Sequence, residues 1–213
     1  MSKRDRKGAE TGGEVRGRLL AGATGLFATK GYAATTVREI VERAGVTKPV
    51  LYYYFRNKEG IYLELMREPF GKFAALVEET LLTAGSARER LFRLCLRAYD
   101  IVVEHIDAAR VMYAIYYGPP QGAPFIDFDA YHRRFQEAVL QVLREGVRDA
   151  EFRRVNLHDA MWAVVGAVNV AMEVELCHPP QSLGRGGVRR VLEIVLEGIV
   201  MDRKANGEKG RKR

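Results

Sequence analysis

Lys48, Tyr52 and Tyr53 share one side of the short stretch TKPVLYYYF, whose other side carries Leu51 and Phe55 at i and i+4. A lysine ammonium can pair with a phosphate or donate to a guanine edge, and tyrosine hydroxyls bond to phosphate oxygens. Packing alone accounts for Leu51 and Phe55. It does not account for three consecutive tyrosines beside a lysine on so short a helix. The chemistry these residues suit is contact with a polyanion, with the sequence-reading side chains set among phosphate-binding ones.

Other chemistries find little support. His105, His132, His158 and His178 share no ligand spacing with cysteine or carboxylate, so no metal site is expected. No glycine-rich phosphate loop follows a strand, and no nucleophile motif of the hydrolase or cysteine-enzyme kind is present. Neither catalysis nor a cofactor is expected.

The elements that must position Lys48 and the tyrosines are legible around them. Val37, Ile40, Val41 and Ala44 follow the i, i+3, i+4, i+7 spacing of one helix face. Thr36, with Glu39 three residues on, forms a capping box at its start. Gly45 supplies a left-handed residue at its end. Thr47 is a good cap for the next helix, which tolerates Pro49 in its first turn, and Asn57 caps the helix after that, with Glu59 in its first turn. Two short helices across a three-residue turn make a helix-turn-helix, whose second helix can enter a major groove amino end first.

Gly31-Tyr32, Thr35-Thr36-Val37, Ile40, Ala44-Gly45-Val46, Leu51-Tyr52, Tyr54-Phe55 and Lys58-Glu59 fall in one ungapped register. This register resembles the amino-terminal domain of the TetR family of transcriptional regulators, closely over about residues 16–65 and beyond that only in its helical pattern. The resemblance implies an all-α fold of about nine helices. Residues 14–62 would be the DNA-binding head and 63–204 a ligand-binding and dimerisation body, flanked by a disordered basic arm at 1–13 and a basic tail at 205–213. It implies that Thr36 and Arg38 contact DNA from the first helix of the motif. Thr47, Lys48, Pro49, Tyr52, Tyr53 and Tyr54 would lie on the recognition helix, and Lys58 would meet a phosphate. Val50 departs from the small or polar residue that relatives often carry there, which leaves base preference at that position open.

Charge is distributed to match. The 213 residues carry a net +7; residues 1–62 hold 12 Lys and Arg against 6 Asp and Glu, and 63–200 hold 16 against 19. A basic head on a slightly acidic body is the electrostatic pattern of a nucleic-acid binder. Cys95 and Cys177 each sit in apolar surroundings and read as buried free thiols, which suits a reducing cytoplasm. The first residues lack the apolar core of a signal peptide, and the longest apolar stretch, 160–171, is short for a membrane span and contains Asn169. A cytoplasmic protein without a membrane partner is expected.

Along the rest of the chain, apolar spacing predicts helices over about 14–29, 58–82, 86–105, 108–117, 127–149, 157–177 and 187–204. Val15, Leu19, Ala23, Leu26 and Phe27 line the first. Pro69 and Gly71 predict a kink or short break within 66–71. Ser86 with Glu89 reads as a second capping box, and Asp107 as the cap of the sixth helix. The run GPPQGAPF after it is a loop.

Helical aromatics in this region serve either as core or as the lining of a ligand pocket. Tyr99, Tyr113, Tyr117, Phe128, Trp162 and Asn169 are the candidate pocket residues, with His105, Glu173 and Glu175 as further polar groups. The last two helices carry stripes that, by the resemblance, form a four-helix bundle with a second copy. Gly166, Val170, Val191, Ile194 and Val195 are its candidate residues. The implied partners are therefore a double-stranded palindromic operator, a second copy of the chain and a small apolar or amphipathic effector that releases the DNA. Two other readings use the same residues: a regulator or activator with the same head and no ligand, and an enzyme or carrier sharing only the helical body.

Overall fold

The computed structural model describes residues 3–200, with side chains from residue 12 onward. The described residues are all-α, with helices α1 (Lys3–Lys30), α2 (Val37–Ala44), α3 (Lys48–Phe55), α4 (Lys58–Leu82), α5 (Ala87–Glu104), α6 (Ile106–Tyr116), α7 (Phe128–Arg148), α8 (Leu157–Cys177) and α9 (Gly184–Glu197). A 3-10 turn at Pro179–Gln181 lies between the last two, and Phe152 and Val200 form one isolated antiparallel bridge.

Several boundaries differ from the sequence expectation. Helix α1 begins at Lys3, where residues 1–13 read as a disordered arm. Lys, Arg, Glu and Ala favour helix in their own right, and a polar run shows no apolar period by which to find it. The side chains of the arm up to Thr11 and the whole tail at 205–213 lie outside the described residues. Helix α4 runs unbroken through Pro69. Helix α6 takes His105, not Asp107, as its N-cap residue. Helix α9 stops at Glu197, where Gly198 caps it, rather than near Lys204.

The chain gathers into two compact units. One runs to Gly71 and takes in His105–Ile126, and the other holds Lys72–Glu104 and the chain from Asp127 on. The boundary thus falls inside α4, past the expected residue 62, and α6 with its following loop belongs with the amino-terminal unit.

In the first unit, Leu19, Ala23 and Phe27 of α1 pack with Ile40, Leu51, Phe55, Ile61, Tyr62, Ala108 and Val111. Gly22 and Gly25 let α1 and α2 approach: a β-carbon at Gly22 would touch the Ile40 carbonyl at 3.7 Å, and one at Gly25 would press on the Arg43 guanidinium at 3.1 Å.

In the second unit, α5, α7, α8 and α9 enclose a core of Leu91, Leu94, Cys95, Val139, Val142, Val164, Val168 and Leu192. Burial pushes the Cys95 thiol up to about 12. Cys177, expected to be buried, is exposed, because it lies at the last turn of α8 beyond the core. Arg90 is buried, pairs with Glu145 and donates to the Thr80 carbonyl at 3.0 Å, which holds the end of α4. Glu151 accepts from the Ala87 and Arg88 amides at 3.0 and 3.3 Å and so caps α5 from across the fold, beside Ser86, which accepts from the Glu89 amide at 3.1 Å. Helix α8 reaches 21 residues with a mean hydropathy of 1.5, long and apolar enough by composition alone to cross a membrane, where the sequence reading found only a shorter run. Its Val164, Val165 and Val168 face the core of this unit.

Candidate nucleic-acid interface

Helix α2 starts as its residues dictate. Thr36 takes an extended backbone, its hydroxyl accepts from the Glu39 amide at 3.3 Å, and the Glu39 carboxylate accepts from the Thr36 amide at 2.9 Å. Lys30, at the end of α1, donates to the same carboxylate. The Lys30 hydrogen bond, followed by the two from Thr36, holds the Glu39 carboxyl down to about 2. Gly45 at φ 65 ends the helix, and the Val46 amide donates to the Val41 carbonyl at 3.0 Å. This left-handed glycine turns the chain within three residues into α3.

Thr47 precedes α3 with extended backbone, and its hydroxyl makes no capping bond. Leu51 and Phe55 are buried in the first unit's core. Tyr53 is 82% exposed and Tyr52 48% exposed, and Thr47, Lys48 and Pro49 are also on the surface. Lys48 makes no ion pair among the described residues. The exposed side of α3 therefore presents a cation and hydroxyls together, which is what a phosphate-lined groove requires.

The carboxyl end of α3 is fixed by close approach. A β-carbon at Gly60 would stand 2.0 Å from the Phe55 carbonyl oxygen, so only glycine lets α4 begin there. Asn57 accepts from the Gly60 amide at 2.8 Å, and Arg56 takes a left-handed φ of 63 between the helices. The Arg16 guanidinium lies over the Phe55 ring at 5.4 Å and pairs with Glu64.

Four of the expected contact residues have partners within the chain. Lys58 donates to the Tyr32 and Thr35 carbonyls at 2.8 and 3.0 Å and stands 4.2 Å over the Tyr32 ring, so its ammonium closes the turn between α1 and α2. Burial lowers its pKa, with Glu59 working the other way. Tyr54 is half-buried against the core, its hydroxyl turned to Gly12 of α1. Thr36 has its hydroxyl in the capping box, donating to Glu39 at 2.8 Å. Arg38 is exposed and paired with Glu42 at 2.7 Å.

The candidate pocket residues are divided between the two units. Tyr113 and Tyr117 meet in the first unit, with ring centroids 4.5 Å apart and planes tilted by 46°, and Tyr117 is exposed. In the second unit Phe128 and Tyr99 are buried. The Tyr99 hydroxyl donates to Glu175, which also accepts from Ser182. Burial, then the bond to Glu175, raises Tyr99 to about 12. Glu175 thus holds the end of the α8–α9 connection, while Glu173 faces out. Trp162 is 57% exposed and Asn169 is also exposed, both on the outer side of α8. There they share a face with half-buried Gly166 and with Val170, 59% exposed. On α9 Ile194 is 71% exposed, with Val191 and Val195 half-buried. Sequence reasoning put Trp162 and Asn169 inside because α8 is apolar on nearly every side, so its period does not say which side is the core.

Two residues that sequence reasoning missed are Arg43, laid across Gly25, and Gln121, whose side chain reaches the turn after α1. The paired glycines of α1 were the signal for the first. The second had none, since its partner lies 89 residues away.

Residues 19–65 match the family model for bacterial regulatory proteins of the tetR family. The HTH-type transcriptional repressor KstR2 of Rhodococcus jostii is 34% identical over 146 residues, covering 65% of this chain and 68% of that one. The HTH-type transcriptional activator FasR of Mycolicibacterium smegmatis is 38% identical over 92 residues, 43% of this chain and 42% of that one. Among solved structures, the ketosteroid transcriptional regulator KstR2 of Mycobacterium tuberculosis superposes with a TM-score of 0.69 at 25% identity, covering 88% of this chain and 95% of that chain. FadR from Bacillus subtilis, solved in complex with stearoyl-CoA, gives 0.61 at 19% identity over 85% and 98%, a likeness of fold. These relatives are transcriptional regulators and not enzymes, and with its exposed α3 behind a capped α2 this chain belongs to the TetR family of DNA-binding transcriptional regulators.

Proposed function

We propose that the protein is a cytoplasmic, homodimeric repressor that binds a palindromic operator and leaves it when a small apolar or amphipathic ligand binds the second unit. The observation that carries the DNA half of this reading is the split of α3 into buried Leu51 and Phe55 and exposed Lys48, Tyr52 and Tyr53. The apolar outer side of α8 and α9 supports the second copy, which would set two heads on successive major grooves. Relatives named for ketosteroid and fatty-acid regulation support an apolar effector. Release is a population shift: the ligand must bind the form that does not fit DNA more tightly than the form that does.

Selection of bound duplexes from random DNA tests the reading. A palindrome with half-sites about one helical turn apart is the expected product. Adding fatty acids, their coenzyme A esters or steroid ketones to the selected complex then tests release. A second reading, a regulator or activator that needs no ligand, is favoured by the match to a relative named as an activator. Thermal shift separates the two, since a ligand of the native state raises the melting temperature with concentration.

A further inference from the structure

The helix-turn-helix is entered through the turn Gly31–Thr36, and that turn is held from outside the head's own sequence. The Gln121 carboxamide oxygen accepts from the Tyr32 amide at 2.8 Å, and its nitrogen donates to the Ala114 carbonyl at 3.3 Å. One side chain on the loop after α6 thereby ties that loop to its own helix and to Tyr32, the second residue after α1. Gly31, at φ 87, makes room for it: a β-carbon there would lie 3.0 Å from the Gln121 oxygen. Around the tie, Ala108 and Val111 are buried in the same core as Ile40 and Leu51, with Met112, Ile115, Ala123 and Ile126 against it. On the other side of the turn, Lys58 takes the Tyr32 and Thr35 carbonyls. The Tyr32 backbone is thus clamped at both its amide and its carbonyl, and Thr35 of the same turn leads directly into the cap of α2.

We propose that Gln121 is a positioning residue for DNA reading: it fixes the turn from which α2 and α3 are presented, although it contacts no DNA itself. The proposal rests on the DNA-binding reading of α3. A half-buried amide without its acceptor costs enough free energy to let the turn adopt other conformations. The loss should fall on the orientation of α3, and so on discrimination between the operator and other sequences more than on attraction to phosphates.

The test compares Gln121→Leu, which removes the acceptor, with Gln121→Glu, which keeps one for the Tyr32 amide. Each full-length variant is titrated for active fraction and measured on the selected operator and on random duplex DNA, with hydrogen exchange followed at the Tyr32 amide. Gln121→Leu is expected to weaken operator binding about tenfold, to change random-DNA binding less than about twofold, and to speed Tyr32 exchange. Gln121→Glu is expected to restore most of the discrimination and the slow exchange. Equal losses on both DNAs would indicate only a less stable protein and overturn the proposal, as would operator binding by Gln121→Leu equal to the parent's. If the unaltered protein bound no duplex, the reading of α3 would fail instead. Tyr32 exchange would then still decide the tie: a rate unchanged by Gln121→Leu would overturn it.

Discussion

The Lys58 ammonium donates to the Tyr32 carbonyl at 2.8 Å while standing 4.2 Å over the Tyr32 ring. A lysine at the start of α4 thus closes the turn that leads into the helix-turn-helix, and its charge is spent on two carbonyls and a π face. Lys58→Met should therefore cost stability, about 1–3 kcal/mol for the Thr35 carbonyl it leaves without its donor, while the Tyr32 carbonyl keeps the Thr35 amide at 3.3 Å. The substitution should weaken operator binding without changing the salt slope. A slope lowered by about one would instead show that Lys58 neutralises a phosphate. Urea unfolding and affinity across a salt series measure both.

Helix α3 should answer to substitution in two ways. Phe55→Ala removes a buried ring and should cost about 3–5 kcal/mol of stability. Tyr53→Ala should change stability by less than about 0.5 kcal/mol, since the ring is 82% exposed, yet weaken operator binding. Lys48→Ala should reduce the salt slope by about one if its ammonium meets a phosphate. If it reads a guanine edge, the variant should instead relax preference at one base pair, at about 1–3 kcal/mol. Operator binding unchanged in both Lys48→Ala and Tyr53→Ala would remove α3 as the reader.

Glu39 gives the head a defined acid sensitivity. Its carboxyl is lowered from 4.5 to about 2 in the folded chain, by Lys30 first and by Thr36 after it. A carboxylate lowered on folding adds stability that is fully present above its unfolded pKa and is lost as pH falls through the folded one. The window is therefore between about pH 4.5 and pH 2. Glu39→Gln should flatten stability against pH within that window and leave the curve above pH 6 parallel to the parent's. Thermal unfolding across pH 2–7 provides the comparison, and an unchanged slope would show that the Lys30–Glu39 pair does not persist in solution.

What could be read from the sequence was local. Thr36 with Glu39, Gly45 and Pro49 each act within four residues, so α2, the turn and α3 emerged at nearly their final bounds. The clasp of Lys58 on Tyr32 spans 26 residues and the tie from Gln121 spans 89, and neither leaves a periodic trace. A lysine at a helix start reads as a phosphate contact unless the carbonyls folded onto it are known. The amino-terminal part of α1 was missed because its residues favour helix without an apolar stripe. Cys177 and Trp162 were placed inside because α8 is apolar around its circumference, and only the packing of α5, α7 and α9 decides which side is the core.

That decision exposes Trp162 and makes it a reporter. Trp162 and Val170 stand on the outer side of α8, 57% and 59% exposed, and on α9 Ile194 is 71% exposed. Large apolar side chains about two helical turns apart on one face and left in water are the mark of a surface that another surface covers. Here the second copy is the proposed cover. Half-buried Gly166, beside which a β-carbon would meet nothing within 4 Å, leaves room for a helix of the partner to come close. Trp162 emission should then shift to shorter wavelength as the protein is concentrated through the dimerisation range, and Ile194→Asp should abolish the shift. The same substitution leaves the α9 core residues Val188, Leu192 and Leu196 untouched, so the folded monomer should survive with its helical content intact. Operator affinity should fall steeply, because one head holds only one half-site. Light scattering that finds the unaltered protein monomeric at micromolar concentration, with Trp162 emission independent of concentration, would leave this face without a second copy and the palindromic operator without its reason.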